Sequence, residues 1–537
     1  MNNNKTFQDL ATKLRNGDLS RRAFIRGATA LGLSAPLAAA LVNPAGSVMA
    51  APGSPSTSRV SWNQDGGVAL AVGLEEEPDT LDPHNLTAAA AGVVGYVVMP
   101  GLVWWDYDLG ISPMLAESWE TSDDGLVWTF NIRPNIVFHN GKACTAPEIV
   151  RNFEHIIDPE GGSFLAPDYE SVESVEAPDD TTVVFTLKEP FAPFLAVLSN
   201  RCGITDMDAY DATTPVGTGP FKILEWNRGT GLKLEAHTEY WEEGLPLAST
   251  VDWRYFPDSD SRLLSLQGGE VDIVSAVPSQ QIDQFLDGQG DIIVDPVPGV
   301  LHYYIAFNCA EGPFSDLRVR QAVAHVVDKE IIVEGALWGH GQVTNIPFPE
   351  TSPWFTETMD YEYDPEKAKA LLEEAGYGDG ISVDLPIQST SPVPVVAEIL
   401  QGDLAAIGIN VRIVEIEWAT YWPDVYLQGK FDITIMAYSP RVDPDQTFYP
   451  RYHSEGVHNA TNYSNPHMDE LLEEGRRVTD TAERKVIYDE VQNLLVEELP
   501  WLWLFLPDVA NGWHKDIVGF RQHPAFHFYL TETTREA

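Results

Sequence analysis

Residues 363–418 switch from helix to helix to strand with full punctuation, and this alternation restricts the chain to a mixed α/β architecture. In YDPEKAKALLEEAGY, residues 363–377, Asp364 is a helix N-cap, Pro365 occupies the first helical position and Gly376 closes the end. Ala368, Leu371, Leu372 and Ala375 recur at i, i+3, i+4 and i+7, one apolar face. A second helix is expected over 394–407, ending at Gly408, and the strand INVRIVEIEW follows over 409–418. A third helix is expected over 481–498, stopped by Pro500. Strand patterns also occupy 67–73, 126–133, 181–188 and 300–307. The apolar run PWLWLFLP at 500–507 is too short to span a bilayer and reads as a buried strand. A chain of 537 residues exceeds what one core can hold, so two or three domains are expected.

The N-terminus carries an address. SRRAFIR at 20–26 precedes an uncharged stretch, 27–50, rich in Ala, Gly and Ser and interrupted by Pro36 and Pro44. That is too weakly apolar for an anchor, but it has a basic front, an apolar middle and a small-residue end, the three parts of a secretory peptide. Arg21 and Arg22, with Phe24 and Ile25 behind them, resemble the twin-arginine export signal. Residues 1–50 are therefore expected to be removed and 51–62 to form a flexible mature terminus. An exported location, periplasmic or extracellular, follows. No Cys lies near the cleavage region, so a lipid-anchored mature end is not indicated.

The formal net charge is −47, and residues 1–50 hold six basic and only two acidic side chains, so the excess falls on the mature part. Nucleic acid and anionic membrane surfaces are excluded as partners, because phosphate contacts need clustered Lys and Arg. Three cysteines, Cys144, Cys202 and Cys309, cannot all pair, and no CxxC occurs. No HExxH, GxSxG, Walker loop or GxGxxG after a strand is present. No catalytic residue, metal or cofactor is therefore expected, and a secreted hydrolase lacks a visible nucleophile or metal constellation. PVGTGPF at 215–221 reads as a tight structural turn, since no helix opens there to offer free N–H groups. Several aromatics sit in polar, Pro-containing stretches: Trp418, Tyr421 and Trp422 in EWATYWPDVY, and Tyr438 in MAYSPRVDPD. They suit either a recognition cleft or hinge packing.

Ordered motifs carry a family resemblance. EPDTLDPHN (77–85), PMLAESWETSDDGLVWTFNIRPNIVFHNGKACTAPEIV (113–150), PVGTGPFKILEW (215–226), EYW (239–241), GGEVDIV (268–274), AFNCAEGPFSDLRVRQAVAHVVDKEIIV (306–333) and YSNPHMDELL (463–472) follow one another along nearly the whole mature chain. With them the chain resembles the extracellular solute-binding proteins of ABC importers, family 5, the branch that includes dipeptide and oligopeptide receptors. The resemblance implies a two-lobed periplasmic-binding-protein-like fold of class II type, with an extra subdomain on the first lobe. Lobe I would comprise 63–82, 213–299 and 499–537, the subdomain 83–212, and lobe II 300–498. It implies a monomer that captures a peptide or peptide-like solute between the lobes and delivers it to the membrane permease. In peptide-binding members an acidic residue shortly after an aromatic holds the peptide ammonium. Here Tyr438 stands at the aromatic and Arg441 roughly where the acid would be, with Asp443 two residues on. An arginine suits a carboxylate, a phosphate or an aromatic face instead, so an oligosaccharide or another anionic or polar solute is the alternative. The candidate contacts are Trp418, Tyr438, Arg441 and Asp443, with Asn85 and Asn308 beside them. Arg318, Arg320 and the glycines of GTGPF are expected to serve the scaffold.

Overall fold

The computed structural model describes residues 67–536 except 87–90, 159, 162, 164, 200–202, 439, 440 and 442. The export signal with Arg21 and Arg22, the flexible terminus at 51–62 and Cys202 lie outside the described residues.

The expected elements form where their end signals stand. Asp364 accepts hydrogen bonds from the N–H groups of Glu366 and Lys367 and opens the helix Pro365–Glu374, and Gly376 follows with φ +87°. The helix Val393–Ala405 leads through Gly408, φ +91°, into the strand Ile409–Ile416. Asp480 caps Thr481–Glu498, which ends on Leu499 in the left-handed region, one residue before Pro500.

Three larger sheets and two two-stranded ones organise the described residues. The first has seven strands, and from one edge these are Ile292–Val294, Gly512–His514, Ile273–Val274, Val68–Leu74, Ala248–Tyr255, Gly231–Ala236 and Phe221–Asn227. Val68–Leu74 runs parallel to both Ala248–Tyr255 and Ile273–Val274. The second sheet places Val297–Pro298, Trp501–Val509, His302–Phe307, Ile433–Tyr438, Ile381–Gln388 and Ile409–Ile416 side by side, and Gly341–Val343 also pairs with Trp501–Val509. Its last three strands are mutually parallel, whereas His302–Phe307 is antiparallel to Ile433–Tyr438. The third sheet is antiparallel, with Ala116–Thr121, Val127–Ile132, Thr182–Leu187 and Val172–Asp179 in that order.

Each of the larger sheets has its own core. Phe130, Phe153, Phe185 and Phe194 meet edge-on beneath the third sheet, covered by the helix Ala146–Ile157. Leu70, Val72, Leu232, Leu234 and Trp253 form the first core, joined by Leu86, Val94 and Val97. The separate subdomain core begins at Leu102, later than residue 83. The second sheet is covered on one face by the helices Leu317–Val326 and Val393–Ala405. On its other face is an aromatic core in which Tyr304 stacks on Trp501 at 3.6 Å and 7°.

The chain crosses between sheets twice. Val297 and Pro298 pair antiparallel with Val509 and Asp508. Trp501–Val509 is bonded to His302–Phe307, so it belongs to the second sheet, and the return to the first lies at 510–511. The expectation that lobe I resumes at 499 is corrected accordingly: an apolar strand would be equally buried in either lobe, and only its pairing assigns it.

PVGTGPF is a docking turn. A Cβ on Gly217 would lie 1.9 Å from the carbonyl oxygen of Val98, and one on Gly219 2.4 Å from that of Val97. The N–H of Gly219 donates to Val98 O at 3.0 Å, and Gly217 O accepts from the His139 N–H at 2.9 Å. Arg320 is buried and donates to the carbonyls of Phe314, Ser315 and Glu498, a scaffold role, and Arg318 binds Asp316 and Glu374 O. Cys144 and Cys309 are free thiols. Among the described residues no helix is long and apolar enough to cross a membrane.

Candidate functional site

Strand direction defines the cleft. In the first sheet Val68–Leu74, Ala248–Tyr255 and Ile273–Val274 all end at the edge from which Ile292–Val294 leaves for the crossing. In the second sheet His302–Phe307 starts from the crossing, so the antiparallel Ile433–Tyr438 ends there, and its parallel neighbours end beside it at Gln388 and Ile416. The carboxyl ends of both sets of parallel strands thus meet at the hinge, the place where open α/β sheets bind ligands.

On the first-lobe side, buried Arg262 ties two of these strand ends together. Its Nη1, Nε and Nη2 donate to the carbonyls of Phe256, Ser275 and Ala276 at 2.6, 2.8 and 3.0 Å. Asn85 belongs to the preceding turn-rich loop. Its amide donates to Asp82 Oδ2 at 2.9 Å, and Asp82 Oδ1 also accepts from the Tyr210 hydroxyl at 2.6 Å. Burial pushes the Asp82 carboxyl up, but hydrogen bonds from Tyr210, Asn85 and His84 outweigh it and bring the group below its ordinary range. In this arrangement Asn85 supports Asp82, which ties the loop to Tyr210.

On the second-lobe side, Tyr438 ends its strand opposite His302, whose ring meets it edge-on at 5.7 Å. The guanidinium of Arg451 lies 3.5 Å from the Tyr438 ring centroid. Burial raises the Tyr438 phenol, but the charges of Arg451 and Arg441 and the hydrogen bonds both make to it bring it below its ordinary value. Arg441 is therefore beside Tyr438, on a turn held by its N–H to Thr447 Oγ1 at 3.3 Å.

Trp418 follows Ile409–Ile416 at the same edge and is 45% exposed. It heads a ladder of rings, Trp418 on Trp422 at 5.6 Å, Trp422 on Tyr426 at 5.3 Å and Tyr426 on Phe431 at 5.8 Å. Tyr426 and Tyr421 anchor this segment in the core, through hydroxyl contacts with Tyr304 at 2.8 Å and Thr434 at 2.6 Å. The aromatic stretch is thus packing at its base and exposed at its head.

Two candidates sit differently. Asp443 is buried, both carboxylate oxygens accept from Arg484 at 2.6 and 2.8 Å, and it caps the helix Pro444–Tyr452 through the N–H of Asp445. In this structure the carboxylate is engaged with the scaffold. Asn308 follows the far end of His302–Phe307, about 20 Å along the strand from Tyr438. Its side-chain oxygen accepts from the N–H groups of Ala310 and Glu311, which makes it a turn former. Arg451 and His302 escaped sequence reasoning. A histidine inside the apolar strand HYYIAF is a sequence signal for His302, and none marks Arg451.

Two lobes joined by paired crossing strands, with the carboxyl ends of their sheets opposed, define a solute receptor of the hinged binding-protein class. The family sequence model described as bacterial extracellular solute-binding proteins, family 5 middle, matches residues 110–459. The chain belongs to this family, the solute-binding components of ABC importers. It is 27% identical over 462 residues to the glutathione-binding protein GsiB of Pectobacterium atrosepticum, covering 83% of this chain and 90% of that one. Among solved structures, the periplasmic binding protein DppA from Helicobacter pylori in complex with the peptide STSA matches with TM-score 0.74 and 28% identity, covering 88% of this chain and 98% of that one. The binding protein AgaA from A. tumefaciens R10, in complex with agropinic acid, matches with TM-score 0.73 and 28% identity over 87% of this chain and 99% of its own.

Proposed function

We propose that this receptor captures a small peptide-like solute bearing an anionic group, closes on it, and hands it unchanged to the permease of its importer. The observation that carries the reading is Arg441 beside Tyr438 at the carboxyl edge of the second sheet, at about the position where the family resemblance implies an acid in peptide receptors. A guanidinium fork matches a carboxylate in two parallel hydrogen bonds, and closure of the lobes strengthens that pairing by removing water. The named ligands of the relatives, glutathione, a short peptide and agropinic acid, fit an anionic, peptide-like class. The exposed face of Trp418 favours a second reading, an oligosaccharide stacked on the aromatic ladder.

Mass spectrometry of the protein purified without denaturation identifies the retained solute. Arg441→Ala is expected to weaken its binding about tenfold or more, because a hydrogen bond to a charged group contributes about 1.5–3 kcal/mol. Unchanged affinity in a calorimetric titration would remove Arg441 from the site. The protein works as a monomer outside the cytoplasm, exported by the twin-arginine route. Replacing both Arg21 and Arg22 with Lys is expected to leave it in the cytoplasmic fraction, and undiminished export of that variant would point to another route.

A further inference from the structure

The second-lobe edge holds a further cation. Arg451, in the last turn of Pro444–Tyr452, is buried. Its Nη1 donates to the carbonyls of Gln446 at 3.3 Å and Thr447 at 3.1 Å, and the guanidinium reaches Tyr438. Among the described residues no carboxylate pairs with it, in a chain with 80 acidic residues. Arg484 pairs with Asp443, whereas Arg262 and Arg320, also without a carboxylate, each donate to three carbonyls. A guanidinium carries five N–H donors, and two carbonyls and one phenol do not use them all.

Polar atoms without a protein partner gather around Arg451. They include a ring nitrogen of His302, whose ring also meets the Val300 backbone, with Nδ1 of His458, the hydroxyl of Tyr452, Nε1 of Trp501 and the side-chain oxygen of Gln446. His302 is fully buried, with its ring 5.7 Å from Tyr438 and 6.3 Å from Trp501, and the Tyr452 ring lies 5.0 Å from Trp501. Burial and the charge of Arg451 hold the His302 imidazole down, to about 3, against a backbone hydrogen bond with Val300, so the ring is neutral. Tyr438, Gln446 and His458 are partly exposed and form the outer side of the cluster. One guanidinium amid imidazole, phenol and indole donors, with no acid among them, is complementary to an anion.

We infer that Arg451, Tyr438 and His302 form a subsite for a second carboxylate of the solute, so that the receptor selects small peptide-like dicarboxylates. Arg441 and Arg451 flank the same phenol, one for each anionic group. This inference rests on the proposed solute class.

Calorimetric titration with glutathione, its glycine monoethyl ester and its glutamyl α-amide separates the two roles. Arg451→Gln is expected to lose about tenfold in affinity for glutathione while binding one of the two masked probes as tightly as the parent protein does, since that probe lacks the group the subsite takes. Equal loss on all three probes overturns the subsite and leaves Arg451 a packing residue. His302→Phe, whose charge is unaltered, should show the same selective loss, and Arg451→Lys replaces Arg451→Gln in the comparison if the latter does not fold. If none of the peptide probes binds the parent protein, the solute class fails separately and sodium acetate becomes the probe. A saturable rise in the unfolding midpoint with acetate that Arg451→Gln abolishes sustains the anion subsite, and no rise overturns it.

Discussion

Arg484→Met is expected to destabilise the ligand-free protein by about 3–5 kcal/mol, the range for breaking a buried ion pair from one side. The guanidinium makes both carboxylate contacts to Asp443 and donates Nε to Gly475 O at 2.8 Å. Burial works against the charge on Arg484, but Asp443 outweighs it and raises the pKa of the guanidinium. With Arg484 gone, Asp443 keeps its cap on the helix Pro444–Tyr452 but is left a buried carboxylate without a cation, and the turn that carries Arg441 starts from that cap. A melt of the variant should show a drop of many degrees. The paired change Asp443→Leu with Arg484→Met should recover part of it, because a matched apolar pair leaves no orphan charge. The same series separates scaffold from site at Asp443. If Asp443→Asn abolished solute binding with an unchanged melting temperature, Asp443 would touch the solute and the scaffold role would be wrong.

The second large effect is expected at Gly217. A Cβ 1.9 Å from the Val98 carbonyl oxygen cannot be relieved by a side-chain rotation, because the neighbour is backbone. Either the turn 215–221 or the segment Tyr96–Val98 has to move. The turn cannot yield alone: the carbonyl of Val216 accepts from the Asp206 N–H at 2.9 Å, and that of Gly219 meets His139 and His237 at 3.0 and 3.1 Å. Gly217→Ala is therefore expected to cost about 3 kcal/mol or more, the upper range of overpacking, and to open the junction of subdomain and first lobe to protease. Gly229→Ala is the control. Gly229 has φ +75° but nothing within 4 Å, so strain alone sets its cost at about 1–2 kcal/mol. Equal melting temperatures for the two variants would show that the close approach is not what requires glycine.

What was legible in the sequence follows from the range of the forces involved. The helix Pro365–Glu374 could be read because Asp364, Pro365 and Gly376 act within a few residues of the backbone they terminate. The apolar run at 500–507 could be read as a buried strand but not assigned to a lobe, since its pairing with His302–Phe307 spans nearly two hundred residues. Tyr438, Arg441 and Trp418 share one edge because parallel strands carry their ends there, an inference the motifs supported. Asp443 looked available because its partner, Arg484, stands 41 residues on. Asn308 looked like a cleft residue because a motif does not say which end of a strand faces the hinge. Arg451 was hidden in a polar helix, and only the strand across from it, with His302, gives its position meaning.

The order of the first sheet bears on the timing of synthesis. Ile292–Val294 is joined to the rest of that sheet through Gly512–His514, which lies between it and Ile273–Val274. A chain emerging from the ribosome can assemble the subdomain and the second-lobe strands up to Ile433–Tyr438 early, but both seven-stranded sheets await strands made near the end, Trp501–Val509 in the second and Gly512–His514 in the first. Completion is a contact of very high sequence separation, slow by its nature. A nascent chain, or one truncated before Gly512, therefore exposes the edges of Ile273–Val274 and Ile292–Val294, open strand edges of the kind that invite mispairing.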